Sequence, residues 1–233
     1  MESSISGKEK SLVVRSPAVH RFGRPKDIAK HEAIIKAARS LFASQPFDLV
    51  TMEAVAARAG VSKMTVYSHF RDKETLFETI VTLTSDSMID AMTAPAEGGL
   101  RERLIAVGSA FLSVVLGTDI CTMAHTLPPV LRANRMLADR FYAAGPGRVR
   151  AALAAIVEAA AARGDLTVDD AGHAADDLVS LWEGSMPAKI SFGLAELSTP
   201  EEIGQRARRG TDVFLRAYKS LGNMDARDRA GFE

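Results

Sequence analysis

Cysteine occurs once in this sequence, at Cys121, which excludes an internal disulfide framework and fits a reducing, cytoplasmic setting. No apolar run reaches the roughly eighteen residues that span a bilayer. The best stretch, Leu104 to Gly117, is interrupted by Gly and Ser and flanked by Arg103 and Asp119, so no membrane association is expected. The N-terminus opens on polar residues without an apolar signal core, and export is not expected either. Net charge is zero, with 29 basic and 29 acidic side chains, so a globally basic surface cannot support nucleic-acid binding. Alternating strand patterns and Asn-Gly or Asp-Gly hairpins are missing. So are a Gly-rich phosphate loop, a zinc His-Glu-x-x-His and a nucleophile-elbow Gly-x-Ser-x-Gly. Neither an enzyme nor a cofactor is expected.

What is present is an ordinary globular composition, 47% hydrophobic and 25% charged, with the helical period visible almost throughout. Residues up to about 25 read as a flexible basic arm, with Pro25 as the start signal of the first helix. Asp27 to Ser44 carries an apolar stripe of Ile34, Ile35, Ala38, Leu41 and Phe42 and ends before Pro46. Thr51 to Ala59 and Ser62 to Phe70 are two short helices around Gly60. Asp72 caps a longer one that runs to roughly Ala94. Leu100 to Leu116 is the next. Asp119 to about Tyr142 is expected to break at Pro128-Pro129, because proline lacks the N–H a helix needs. Pro146 opens a run ending at Gly164. Thr167 to Asp170 and Thr199 to Glu202 read as capped starts of helices reaching about Gly193 and Leu221. The expected fold is all-α: a three-helix head and a larger helical domain. Its segments are the arm 1–25, the head 26–75, the larger helical unit 76–222, and a tail 223–233.

The segment Thr51 to Phe70 carries the functional signal. Ala56 has almost no bulk and lets helices approach closely, Gly60 supplies a left-handed turn, and Ser62 caps the second short helix. At about 100° per residue, Val66 and Phe70 share an inward face while Met64 and Ser68 point almost opposite. A packed back and a mixed polar front suit the major groove, where base edges present distinguishable patterns. Thr51 and Ser62 sit at helix N-termini, which favour phosphate. Lys63, Tyr67, His69 and Lys73 are phosphate-clamping types. Thr65 and Ser68 suit base edges, and Met64 suits a thymine methyl. Taken alone, the same turn also fits two helices packed in any α-protein.

The longer segment from Ile34 to Leu76 resembles the TetR family of bacterial transcriptional regulators. The residues carrying the resemblance are Ile35, Ala38, Leu41, Phe42, Ala56, Ala59-Gly-Val-Ser-Lys63, Tyr67, Phe70 and Asp72-Lys-Glu-Thr-Leu76. The resemblance implies a DNA-binding head with Lys73 touching phosphate, and a helical C-terminal domain that dimerises and often holds a small-molecule inducer. Met64 departs from the small residue usual in the family, and Ser68 is less basic than many equivalents. The stretch from Phe141 to Leu153, with Arg163-Gly-Asp-Leu166, is similar to the AefR-like kind of C-terminal domain. Ahead of the head, Lys8 to Lys30 holds seven Lys or Arg against two acids, and Arg21, Arg24 and Lys26 are expected to reach a narrow minor groove.

The expected function is therefore a dimeric repressor on a palindromic operator in double-stranded DNA, released by a small apolar or amphipathic inducer. It would be cytoplasmic, and nucleoid-associated when bound. A ligand-independent activator or architectural protein, or a helical adaptor, are the rival readings. Candidate pocket residues are Phe111, Met123, His125, Trp182, Met186 and Phe192; such a stripe also fits plain core. Glu183 beside Trp182 would be costly to bury without a partner. Cys121 with His125, and His173 with Asp176 and Asp177, do not complete a metal site, so no metal is expected. Leu178, Leu181, Met186, Ile203, Val213, Phe214 and Leu215 on the last two helices are expected either to form a dimer face or to close the monomer core.

Overall fold

The computed structural model describes residues 25–95, 97–116, 120–196 and 198–218; the side chains of 25–26, 120–126 and 191 lie outside it. The arm residues Arg21 and Arg24, the side chain of Lys26 and the tail 223–233 fall outside the described residues. So do the side chains of Cys121, Met123 and His125. Among the described residues there are eleven α-helices and one 3-10 turn, with no strand. The head comprises α1 (Pro25–Ser44), the 3-10 turn (Phe47–Leu49), α2 (Met52–Ala59) and α3 (Lys63–His69). α4 (Lys73–Thr93) leads into α5 (Leu100–Val115), α6 (Ile120–Ala133), α7 (Arg135–Ala144) and α8 (Pro146–Ala162). α9 (Ala171–Glu183), α10 (Met186–Ser191) and α11 (Pro200–Tyr218) complete the body.

Local chemistry sets the helix ends. Thr51, Ser62 and Asp72 each sit in extended backbone and accept the N–H of the residue three further on, at Ala54, Thr65 and Thr75. Gly60 takes φ 67°, ends α2, and turns the chain into α3. Thr199 and Glu202 form a reciprocal capping box at α11: the Thr199 N–H donates to the Glu202 carboxylate at 2.8 Å, and the Glu202 N–H to the Thr199 hydroxyl at 3.3 Å.

Three expected boundaries move. Pro128 and Pro129 lie inside α6 and do not break it. Both rings are exposed while Leu127 is buried in the head core, so the missing donors fall on the solvent side, where water can serve the carbonyls. The break comes instead at Asn134, whose side chain caps α7 through the Leu137 N–H at 3.0 Å. Thr167 does not open α9: its N–H donates to the Tyr218 carbonyl at 2.8 Å, and Asp170 caps the helix through the His173 N–H at 2.8 Å. That helix ends at Gly184 (φ 53°, ψ −133°) and not at Gly193, because a glycine in left-handed backbone stops the helical ladder.

Two cores result, and α4 serves both. Leu76, Phe77 and Ile80 join the head core with Ile34, Phe42, Val55, Val66 and Phe70. Met88 and Met92, further along α4, join the body core around Trp182. Leu127 of α6 and Leu137 of α7 also enter the head core, so the head is seated on the body through apolar contacts. In the body, α11 packs on α5 and α9, and α9 also packs on α8. The Trp182 ring is fully buried, and its indole N–H donates to the Thr211 hydroxyl at 3.1 Å. It lies in a slot made by two glycines. A Cβ at Gly108 would come within 2.6 Å of Trp182 Cε2, and one at Gly210 within 2.6 Å of Trp182 Cδ1.

Leu178, Ile203 and Phe214, candidates for a dimer face, are buried within this one chain and close its own core. Leu181 on the same helix as Leu178 remains 37% exposed. No helix among the described residues is long and apolar enough to cross a membrane.

Candidate nucleic-acid interface and ligand cavity

α3 presents one face to the head core and the opposite face to solvent. Val66 and Phe70 are buried, while Met64 is 78% exposed and Lys63, Tyr67 and Ser68 are exposed beside it. Lys63 forms an ion pair with Glu53 of α2, and its Nζ sits 5.7 Å from the Tyr67 ring centroid. The hydrogen bond from Lys63 holds the Glu53 carboxyl below its usual range and raises the Lys63 ammonium in turn. Thr65 is half-buried with its hydroxyl 2.8 Å from that of Ser62. The Ser68 hydroxyl donates back to the Thr65 carbonyl at 2.7 Å, which leaves its oxygen lone pairs facing outward. Thr51, Ser62, Lys63, Met64, Tyr67 and Ser68 are all exposed, and the Glu53–Lys63 ion pair ties the start of α2 to the start of α3.

Two sequence candidates stand apart from that face. His69 is only 10% exposed at its side chain; its Nε2 lies 3.1 Å from Asp27 Oδ1, and its ring lies 5.5 Å from that of His31. It brackets α3 against α1. The Lys73 ammonium donates to the Phe47 carbonyl at 2.9 Å and stands 4.3 Å over the Phe47 ring. It fastens the start of α4 to the 3-10 turn. Arg71 escaped the sequence reading although it lies between the turn helix and the Asp72 cap; its side chain is 79% exposed and donates to Asp72 at 2.7 Å. Burial alone would raise the Asp72 carboxyl, but hydrogen bonds from Thr75 and Arg71 outweigh it and hold the group down at about 2.

A cavity of about 510 Å³ opens between α4, α5, α7, α8 and α9, with Arg39 of α1 at its head side. Its wall is mostly aliphatic and aromatic, including Met88, Phe111, Phe141 and Tyr142. Of the sequence candidates, Phe111 lines it. Trp182 stands one layer behind, 6.2 Å from the Phe111 ring, in the slot left by Gly108 of α5 and Gly210 of α11. Met186 packs on the body core, and Phe192 is 74% exposed and away from the wall. The polar lining was largely hidden from sequence reasoning: Arg39 and Arg150 carry no signal beyond ordinary helix-surface charge, and Asp176 stood out only as a neighbour of His173. Glu183 did carry one, its place next to a buried tryptophan. It lines the cavity, and burial pushes its carboxyl above the usual carboxylate range.

Ion pairs and a hydrogen bond tie together the helices that surround the cavity. Arg150 of α8 makes a two-pronged contact to Asp176 of α9, at 2.7 and 2.8 Å. Arg140 of α7 reaches Glu78 of α4, and Arg39 of α1 donates to Thr84 of α4 at 3.0 Å. Among the described residues no three metal-ligating side chains cluster.

Residues 34–80 match the model of bacterial regulatory proteins of the tetR family, and residues 102–220 that of the C-terminal domain of AefR-like transcriptional repressors. The flavonoid-responsive regulator FrrA is 32% identical, with 82% of this chain and 98% of that one covered and a TM-score of 0.65. A TetR-family transcriptional regulator from Mesorhizobium loti is 25% identical over 84% of this chain and 100% of its own, with a TM-score of 0.73. The HTH-type regulator YdeS of Bacillus subtilis is 45% identical over 51 residues, 22% of this chain and 26% of that protein. This chain's match thus spans about a quarter of YdeS. A helix-turn-helix head on an all-α body, matched along both parts, places the chain in the TetR family of DNA-binding transcriptional regulators, which are not enzymes.

Proposed function

We propose that the chain acts as a homodimeric, cytoplasmic repressor whose two heads occupy successive major grooves of a palindromic operator. The observation carrying this reading is the outward face of α3, where Met64, Tyr67 and Ser68 project from a helix whose back is fixed in the core. One α3 reads only a few base pairs, and two-fold pairing doubles the site. Met64 and Ser68 meet base edges; Thr51, Lys63 and Tyr67 meet phosphates; Arg21, Arg24 and Lys26 follow the adjacent minor groove. Arg71 joins the phosphate contacts. His69 and Lys73 act at one remove, by holding α3 and α4 in place.

Release is assigned to a small molecule in the cavity. That void touches α4, which enters the head core, and Arg39, which belongs to the head itself, so filling it changes how head and body sit together. The relative named as flavonoid-responsive supports a small-molecule response in this fold.

Selection of bound sequences from a random DNA pool tests the core of the proposal. The expected product is a palindrome, and Lys63→Ala should lower the slope of log affinity against log salt by about 1 without changing the selected sequence. Recovery of sequences without two-fold symmetry, or a monomeric mass in light scattering at micromolar concentration, would refute it.

A further inference from the structure

The cavity's charged groups are unequally neutralised. Arg150 is matched by Asp176 in a two-pronged pair; Arg39 donates to the uncharged Thr84 hydroxyl and has no acidic partner among the described residues, but it is exposed and its charge is hydrated. Glu183 is half-buried and is one of the residues lining the cavity. Arg206 approaches it only at the main-chain oxygen, at 3.4 Å, and not at the carboxylate. A carboxylate drawn out of water without a counter-ion is costly, and that cost falls when a cation arrives. Burial already raises this carboxyl's proton affinity, the response expected of an acid that lacks such a partner. The rest of the wall favours the same ligand. Phe111, Phe141 and Tyr142 line the void, and the face of an aromatic ring attracts a desolvated cation.

We infer that the cavity selects an organic cation: a drug-sized, largely apolar molecule whose positive charge pairs with Glu183 while its hydrocarbon part lies against Phe111, Phe141 and Tyr142. This rests on the reading of the cavity as a ligand site. A volume of about 510 Å³ lies in the range of small-molecule pockets and is too large for a bare metal ion to need. Glu183 is the residue that sets the preferred sign of charge.

Tetraphenylphosphonium and tetraphenylborate provide the test, being nearly equal in size and opposite in charge. Calorimetric titration of the full chain should give the phosphonium at least about tenfold tighter binding than the borate. In Glu183→Gln that preference should collapse, with the melting transition of the variant retained, and Glu183→Asp should restore part of it. Equal affinity, a preference for the borate, no binding of either ion, or an unchanged preference in Glu183→Gln would each overturn the inference. The comparison of the two ions on the unaltered protein stands even if the variants misfold. A gel shift on the selected operator separates this inference from the release reading. Phosphonium binding that depends on Glu183 but leaves DNA bound sinks release and keeps the cation site. Release by uncharged compounds, equal in Glu183→Gln, does the reverse.

Discussion

The head and the body are built from the same kind of helix yet packed by different means. In the head, large rings meet one another. Phe77 sits edge-on to Phe42 at 5.1 Å and to Phe47 at 5.2 Å, and stacks with Phe141 of α7 at 6.0 Å. Side-chain caps at Thr51, Ser62 and Asp72 fix the start of each of three successive helices. In the body, small residues bring helices together around one indole, and a void of about 510 Å³ remains between α4 and α9. The difference suits the two tasks proposed above. A surface that reads base edges must hold its side chains in fixed geometry, whereas a regulated body needs space that a ligand can fill. α4 belongs to both and is the mechanical link.

The largest expected effect tests that link. Phe77→Ala removes the ring shared by head, α4 and α7, and should cost about 3–5 kcal/mol in chemical denaturation. A loss below about 1 kcal/mol would mean that the head holds without the junction. Next comes the body's glycine slot. Gly210→Ala places a Cβ 2.6 Å from Trp182 and 2.9 Å from the Leu181 carbonyl, atoms that cannot swing aside. About 1–3 kcal/mol should be lost, with a shift in Trp182 fluorescence that no head variant produces. An unshifted spectrum would show that the slot relaxes.

Asp72 gives a smaller effect confined to the head–body hinge. Its carboxyl is depressed from 3.8 to about 2 in the folded chain, so its contribution is full above the ordinary carboxylate range and is lost as pH falls toward 2. Because the side chain is about a third exposed, Asp72→Ala should cost only about 1 kcal/mol at neutral pH. The acid limb of the stability profile should flatten correspondingly; an identical acid limb in the variant would exclude this role. The smallest effect on stability belongs to Met64→Ala, within about 0.5 kcal/mol since the side chain already faces water. Its consequence should appear only as a changed base preference in selected operators. A stability loss there would mean that Met64 packs instead of reading.

Much of the head was legible because its determinants are local. The spacing of Ile34, Ala38 and Phe42, the caps at Thr51, Ser62 and Asp72, and Gly60 each act within one or two helical turns. The inward and outward faces of α3 followed from helical arithmetic alone. The body was less legible. Pro128-Pro129 looked like a break, but their cost depends on which side of α6 meets water, and that is set by Leu127 entering the head core. His69 and Lys73 had the chemistry of phosphate contacts, yet Asp27 and the Phe47 carbonyl, distant in sequence, engage them. For the same reason, Phe111 alone of the described pocket candidates lines the cavity.

By itself, then, the sequence determined the all-α class, the helix-turn-helix and which face of α3 is exposed, because caps, glycine turns and a 3.6-residue period are properties of neighbouring residues. Tertiary structure alone decided which charges were already taken, where Trp182 turned, and where space was left over. Those outcomes depend on which helices touch, and only close packing of distant segments makes a cavity and leaves Glu183 on its wall.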